Sequence, residues 1–420
     1  VTMLPLDNIR VLELTTAWAG PMAGRVLAYL GADVTHVESP TRTNTWRMNK
    51  GNPSGVNYPD FDPGERRWDR AFLFNSQNVN KRSLAIDIKT GDGLEAVRGL
   101  IMKSDVLICN FRPGMLQRLD LDYDTLSRTR PDIIVAEMPA FGLEGPHSSY
   151  AALGPTMEMA AGMSAMIAYK DGKPTVTGPS YLDPIGGFNA AAAILTALLH
   201  RQATGEGQHI EVAQVEAAMQ FIGPEILAAA AHGRDALADG NRVDFAAPHG
   251  AYPARGEDEW IAIAAEDEEQ WRALCRVMGD EEFATDARFA TLAARKQNED
   301  ALDSLIASWT KGLDKRDLAG RLQAAGVIAA PVNTPRDIAA SEYLACRGFF
   351  AELDHPVAGQ HPHPGLPFHL SRTPGAYRSA APGFGADNTH LLREVLGLPA
   401  EKVAEMEKTR VIATAPDAEA

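Results

Sequence analysis

At 420 residues the chain exceeds one small core and is sized for two domains, or for one large domain carrying an inserted second. Hydrophobic residues make up 45% and charged residues 23%, a globular balance, and 40 Lys and Arg against 55 Asp and Glu leave a net charge of −15. That excess of acid excludes a general nucleic-acid surface but not a local basic pocket.

No apolar run reaches membrane-spanning length and no basic-then-apolar leader opens the sequence, so a cytoplasmic protein without a membrane partner is expected. Three widely spaced cysteines (Cys109, Cys275, Cys346) fit a reducing compartment, form no metal spacing, and read as small buried hydrophobes.

Residues 9–14 alternate like a strand, a helix runs from the small residues Gly20, Ala23 and Gly24 to about Leu30, and residues 31–38 read as a second strand. This is a βαβ unit and predicts parallel sheet. Neither GxGxxG nor GxxxxGK[ST] occurs, so nicotinamide and ATP chemistry are not supported. Residues 41–74 are long and irregular, carrying Pro53, Pro59 and Pro63 together with Trp46, Tyr58, Phe61, Trp68, Phe72 and Phe74. Such aromatic content argues for a functional loop over disorder. A strand over 80–87, a helix over 91–103 and a strand over 105–110 follow, ending in Phe111-Arg112-Pro113-Gly114. Ligands in doubly wound sheets sit at strand C-termini, so Lys81, Arg82 and Arg112 are candidates to clamp phosphates; each also reads as ordinary solvated charge.

After a strand over 133–138 and an apolar helix over 157–166 comes Gly178-Pro-Ser-Tyr-Leu-Asp183-Pro-Ile-Gly186-Gly187, then a strongly helical, apolar run to Arg201. Asp183 before Pro184 has the form of an N-cap with proline at the first helical position. A structural cap is one reading. The other is a nucleophile: Gly186 and Gly187 clear space for a ligand or backbone, and helix-start N–H groups hold negative charge. Helix continues to about His232, and a composition shift near Gly240 marks a linker. A hairpin near residues 259–264 and helices over 270–278, 297–311 and 316–325 make a smaller α+β unit. Beyond Ser341 the chain is rich in proline and histidine, with one short helix over 389–396, and the tail after Ile412 is expected to be disordered. His355, His361, His363 and His369 lack the spacing and the carboxylate or cysteine of a metal set. No GxSxG elbow is present.

In order, Arg10-Val-Leu-Glu-Leu14, Gly31-Ala-Asp-Val34, Glu38-Ser39-Pro40, Asn80-Lys81-Arg82-Ser83, Asn110-Phe111-Arg112-Pro-Gly114, Phe141-Gly142 with Gly145-Pro146, Asp183 with Gly187, and Thr204-Gly-Glu-Gly-Gln208 resemble the family III CoA-transferases. The likeness continues through Gln270-Trp271, Ala325-Gly-Val327, Arg347-Gly-Phe-Phe350 and Ala381-Pro382 to Gly385, nearly the whole chain. The family is also called CaiB/BaiF and includes α-methylacyl-CoA racemases. The resemblance implies an α/β fold: a Rossmann-like large domain built from both chain ends, an inserted smaller α+β domain, and an interlocked homodimer. The boundaries expected are 1–215 for the large domain, 216–245 for a linker, 246–335 for the small domain and 336–420 for the return. It implies Asp183 as nucleophile, Gly186, Gly187 and Glu158 around it, and coenzyme A as substrate, with no tightly bound cofactor. Glu38, Ser39, Pro40, Asn80, Lys81, Arg82, Asn110, Phe111 and Arg112 are the CoA contacts it implies.

The implied reaction is transfer of CoA to a carboxylic acid through aspartyl anhydride and aspartyl-CoA intermediates, with oxyanions held by backbone N–H groups at Asp183 and near Gly186. No glycine run occupies residues 248–256 to shield the aspartate. Gly154-Pro155-Thr156 stands where the racemases have histidine, which places racemisation behind transfer. A subunit of a heteromeric transferase is the third class. Glu158 reads as a substrate-side polar group or a helix-surface glutamate. The aromatics of residues 41–74 read as an acyl chamber for an aryl or extended acid, or as subunit packing.

Overall fold

The computed structural model describes residues 3–48, 50–51, 54–169, 172–178, 180–235 and 238–417. Pro53, Pro179 and the last three residues of the tail, all within stretches singled out in the sequence, lie outside them.

The chain divides into two compact units, residues 1–164, 176–233 and 345–420 in the first and 165–175 with 234–344 in the second. The first is built on a six-stranded sheet of β1 (Arg10–Leu14), β2 (Asp33–Glu38), β3 (Lys81–Ala85), β4 (Val106–Cys109), β5 (Ile134–Glu137) and β6 (His209–Glu211). The spatial order is β3-β2-β1-β4-β5-β6, with every neighbouring pair parallel. That order reverses between β1 and β4, which makes a crevice at their C-terminal ends. The central strand β4 (VLIC) is apolar on both faces because both are covered, and β1 and β5 are largely so. Leu12, Leu14, Leu107, Cys109 and Val135 face a core completed by Leu391, Leu392, Val403, Met406 and Ile412 from the chain's end. Val11, Val34, Ile108 and Ala136 face the other, against the helices Ala19–Tyr29 and Leu182–Thr204.

The Leu182–Thr204 helix corrects one expectation. With 23 residues and a mean hydropathy of 1.4 over its most apolar window, it is long and apolar enough to cross a membrane by length and composition alone. Here its Gly186, Gly187, Ala190, Ala191, Ile194 and Ala197 are buried.

The second unit holds an antiparallel sheet of β7 (His249–Pro253), β8 (Trp260–Ala264) and β9 (Ile328–Pro331), in the order β7-β8-β9. Trp271, Leu302, Ile306 and Leu318 pack over it from three helices. Residues 216–245, expected as a linker, are mostly helix: Gln214–Met219 and Gly223–His232 belong to the first unit, and the second resumes at Arg234. In the Pro/His-rich stretch a hairpin of β10 (Phe350–His355) and β11 (Gly359–Pro364) stands where no strand was expected. Nor are residues 413–417 loose. The Ala413 N–H donates to Ala85 O and the Asp417 N–H to Pro40 O (3.0 Å). Cys346 is exposed, unlike Cys109 and Cys275.

Gly187 is set by packing, since a Cβ there would lie 2.6 Å from Met22 Cβ and 2.7 Å from Ala19 O. Both contacts are against a helix face that cannot retreat from the sheet. Gly187→Ala should therefore destabilise the protein by about 1–3 kcal/mol through overpacking. A urea midpoint equal to wild type would show that the two helices can separate freely.

Candidate active site

A cavity of about 680 Å³ opens at the C-terminal edge of the sheet, at the β1/β4 reversal. Its wall takes Leu14, Thr15 and Thr16 from the end of β1, Glu38 and Ser39 from β2, Ile86 and Asp87 from β3, and Phe111 and Arg112 after β4. Four expected contacts, Glu38, Ser39, Phe111 and Arg112, are thus brought together. Arg42, Lys89 and Arg118 join them on the wall. All four cations are exposed, and none forms an ion pair among the described residues. In a chain of charge −15 this is a local basic site of the kind that takes phosphates.

Glu38 acts on the wall's shape. Its carboxylate accepts Arg47 Nε at 2.9 and 2.8 Å and Nη2 at 2.7 Å, and it accepts the Asn44 N–H. Burial works to raise this carboxyl, yet Arg47 and His36 hold it below the ordinary carboxylate range. Asn110 is also a brace, since its amide accepts the Thr16 N–H and donates to the Thr16 carbonyl, both at 2.9 Å. Pro40 does not line the cavity, and its carbonyl accepts Asp417.

Asn80, Lys81 and Arg82, expected as CoA contacts, do not line this cavity. They stand at the start of β3, while the cavity lies at its end. Lys81 is fully enclosed, donating to Glu13 Oε1 at 2.7 Å, Pro21 O at 2.8 Å and Asn78 Oδ1 at 3.0 Å, which uses every donor it has. Arg82 pairs with Asp33 (2.8 Å) and Asp387 (3.4 Å). Asn80 holds the 376–379 segment, donating to Ala376 O and accepting from Ser379 N.

The aromatic stretch is corrected in the same way. Tyr58 and Phe74 are core residues with Ala71 and Ala381, and Trp46 packs on them. Trp68 covers Phe384, Phe72 meets His361 edge-on, and Phe61 is exposed. None of the six lines the cavity, and all but the exposed Phe61 pack the chain against itself.

Asp183 is not the N-cap. Tyr181 holds that place, and Asp183 is the second helical residue, half-buried, its N–H donating to the Ser180 carbonyl at 3.1 Å. That N–H is therefore no oxyanion donor, and Gly186, fifth in the helix, has its own N–H in the helical ladder. Nor do the glycines open space for a ligand: a Cβ on Gly186 would meet Gln214 at 3.0 Å, as one on Gly187 meets Met22. They bring the helix down onto its neighbours instead. Burial pushes the Asp183 carboxyl up to about 6, opposed by the Ser180 hydroxyl beside it. Ser180 has φ +53°, and Gly154 makes room for it, a Cβ there falling 2.6 Å from Ser180 Cα.

Glu158 is fully buried and not on the helix surface. Its two oxygens accept the Thr177 N–H (2.7 Å) and hydroxyl (2.9 Å), anchoring the segment that leads to Ser180. Ser180 and Thr177 were missed in the sequence, where short hydroxylic residues before a helix carry no distinguishing signal.

A family model described as CoA-transferase family III matches residues 6–388. The chain is 31% identical to succinyl-CoA–D-citramalate CoA-transferase of Chloroflexus aurantiacus, over 97% of this chain and 98% of that one. It is 30% identical to succinate–glutarate CoA-transferase of Agrobacterium fabrum, over 93% and 96%. Its fold is similar to the crystal structure of a CAIB/BAIF family protein from Brucella suis, at TM-score 0.84 and 31% identity, covering 94% of this chain and 99% of the other. The chain belongs to CoA-transferase family III and is an enzyme acting on an acyl-CoA and an acid.

Because the Asp183 pKa is raised by burial, the group is ionised above about pH 6 and neutral below it. Carbon-13 titration of its carboxyl should show a midpoint near 6. In Ser180→Ala, which loses a bond to the ionised form, the midpoint should rise. A midpoint near the ordinary aspartate value of about 4 would show the carboxyl to be solvated.

Proposed function

We propose that this enzyme moves CoA from a succinyl-type donor to a short dicarboxylic acid, with Asp183 as the nucleophile. The observation that carries the reading is a carboxylate desolvated at a helix start, in the same unit as a basic cavity at the sheet's crevice. Partial desolvation strips water from the attacking oxygen, and a pKa near 6 still leaves it ionised at neutral pH.

The steps balance without an outside energy source. An Asp183 oxygen attacks the donor thioester carbonyl, forming the mixed anhydride and releasing CoA thiolate. The thiolate attacks the aspartyl carbonyl, giving aspartyl-CoA thioester and the donor acid. The acceptor carboxylate attacks that thioester, and the freed thiolate then takes the acceptor's acyl carbon, leaving the new acyl-CoA and free Asp183. Each exchange conserves an activated acyl bond, so ATP is not required.

Arg42, Lys89, Arg112 and Arg118 are assigned to the CoA phosphates, in place of Lys81 and Arg82. Short dicarboxylates are favoured over aryl acids for two reasons. None of the aromatic side chains of residues 41–74 lines the cavity and all but Phe61 are engaged in packing, and the relatives named above act on citramalate and glutarate. Racemisation gains no support: Gly154-Pro155-Thr156 supplies no imidazole, and Ser180 fills the space beside Gly154. A cytoplasmic homodimer is part of the proposal. The apolar helix Gly223–His232 has no buried residue, with Leu227 72% exposed, and a second copy would cover such a face.

Asp183→Ala should abolish transfer from succinyl-CoA to glutarate while leaving CoA binding intact; near-wild-type turnover would remove Asp183 from the chemistry. Arg112→Ala and Lys89→Ala should raise KM for every acyl-CoA alike with kcat kept, because phosphate contacts are made equally in ground and transition states. Arg82→Ala should leave KM unchanged, and a rise there would return that residue to the CoA site. Leu227→Asp should shift the sedimentation of the protein toward a monomer, and an unchanged profile would place the interface elsewhere.

A further inference from the structure

A second cavity, of about 280 Å³, lies between the β10–β11 hairpin and residues 72–76, with no residue in common with the basic cavity. His355, His361, His363 and Asn75 line it. His355 is 3% exposed, and its Nδ1 accepts two backbone N–H groups, from Val357 (3.1 Å) and Ala358 (3.0 Å). An imidazole nitrogen that accepts carries no proton, so the neutral ring keeps its hydrogen on Nε2. That Nε2 is buried and has no partner. Asn75 is also 3% exposed; its Nδ2 donates to Asp69 O at 3.0 Å, which fixes the amide's orientation, and its buried Oδ1 is likewise unpartnered.

One donor and one acceptor, both desolvated and unmatched, therefore belong to two residues that line a single cavity, and a ligand that pairs with them relieves that burial. A metal does not answer this. Binding through Nε2 would move the His355 proton to Nδ1, directly against two N–H groups. A carboxylate answers only half, since it would set an oxygen against Asn75 Oδ1. His355 and His363 carry no charge at neutral pH: burial pulls His355 below its ordinary value and His363 down to about 4.

We infer that this cavity is a binding site for a small neutral ligand that offers a carbonyl oxygen to His355 Nε2 and an N–H to Asn75 Oδ1, the pattern of a primary amide. It is separate from the transfer site and stands whether or not Asp183 is the nucleophile.

Acetamide is the probe, with acetate as the matched anion. In protein labelled with nitrogen-15 histidine, acetamide should produce a saturable shift of the His355 Nε2–H resonance, and acetate should not. Ala358→Leu, which fills the cavity and touches no part of the transfer site, should abolish that shift and keep wild-type transfer. A crystal soaked in acetamide reads the same question without a variant, with the amide expected between His355 and Asn75. An equal response to acetate, a non-saturating response, persistence of the shift in Ala358→Leu, or only water at the two atoms in the soaked crystal would overturn the inference.

Discussion

Arg47 is the side chain on which the first unit's working edge depends. It is completely buried, doubly bonded to Glu38 at the end of β2, paired with Asp69 at 3.0 Å, and seated 3.5 Å over the Phe74 ring. One guanidinium thereby joins the sheet, the 41–77 segment and, through its bond to Pro382 O, the returning chain end. Removing one partner from such a buried pair strands the other charge, at a cost of about 3–5 kcal/mol. Behind it His36 links Glu38 to Glu13, and Glu13 takes Lys81, so a line of enclosed polar side chains joins β1, β2 and β3.

This interior use of charge explains why the basic cavity is selective in its composition. Arg47 and Lys81 are neutralised by carboxylates inside the protein and contribute shape, while Arg42, Lys89, Arg112 and Arg118 keep their donors for a ligand. The Asp183 helix is placed by the same economy of space. Gly187 lies against Ala19, the first residue of the helix that follows the cavity-lining Thr15 and Thr16.

Much of this was legible in the residues. The alternation and spacing of apolar runs carried the parallel sheet, because β1, β4 and β5 must be hydrophobic on both faces. Asp183 stood out because Asp-Pro before an alanine-rich helix is locally distinctive. Lys81 and Arg82 lie away from the basic cavity, and their order along the chain holds the reason: residues opening a parallel strand lie at the edge opposite its C-terminal end. The glycines beside Asp183 showed that something approaches closely, and only coordinates reveal that Met22 and Gln214 do so. Glu158, Thr177 and Ser180 were opaque since their roles are set by a contact between segments about 20 residues apart. The β10–β11 hairpin was hidden by prolines at 362 and 364, which strand patterns count against but which a two-stranded edge tolerates.

The central claim is that Asp183 exchanges an oxygen with the acids it serves, and isotope transfer tests that most directly. If the acceptor enters as a carboxylate fully labelled with oxygen-18, the anhydride formed on it resolves by attack at the acceptor's carbonyl. One labelled oxygen must then remain on Asp183. Mass spectrometry of the digested enzyme after a single turnover should find the Asp183 peptide heavier by that single atom, with no label elsewhere in the chain. Turnover that leaves the Asp183 peptide unlabelled would contradict the account.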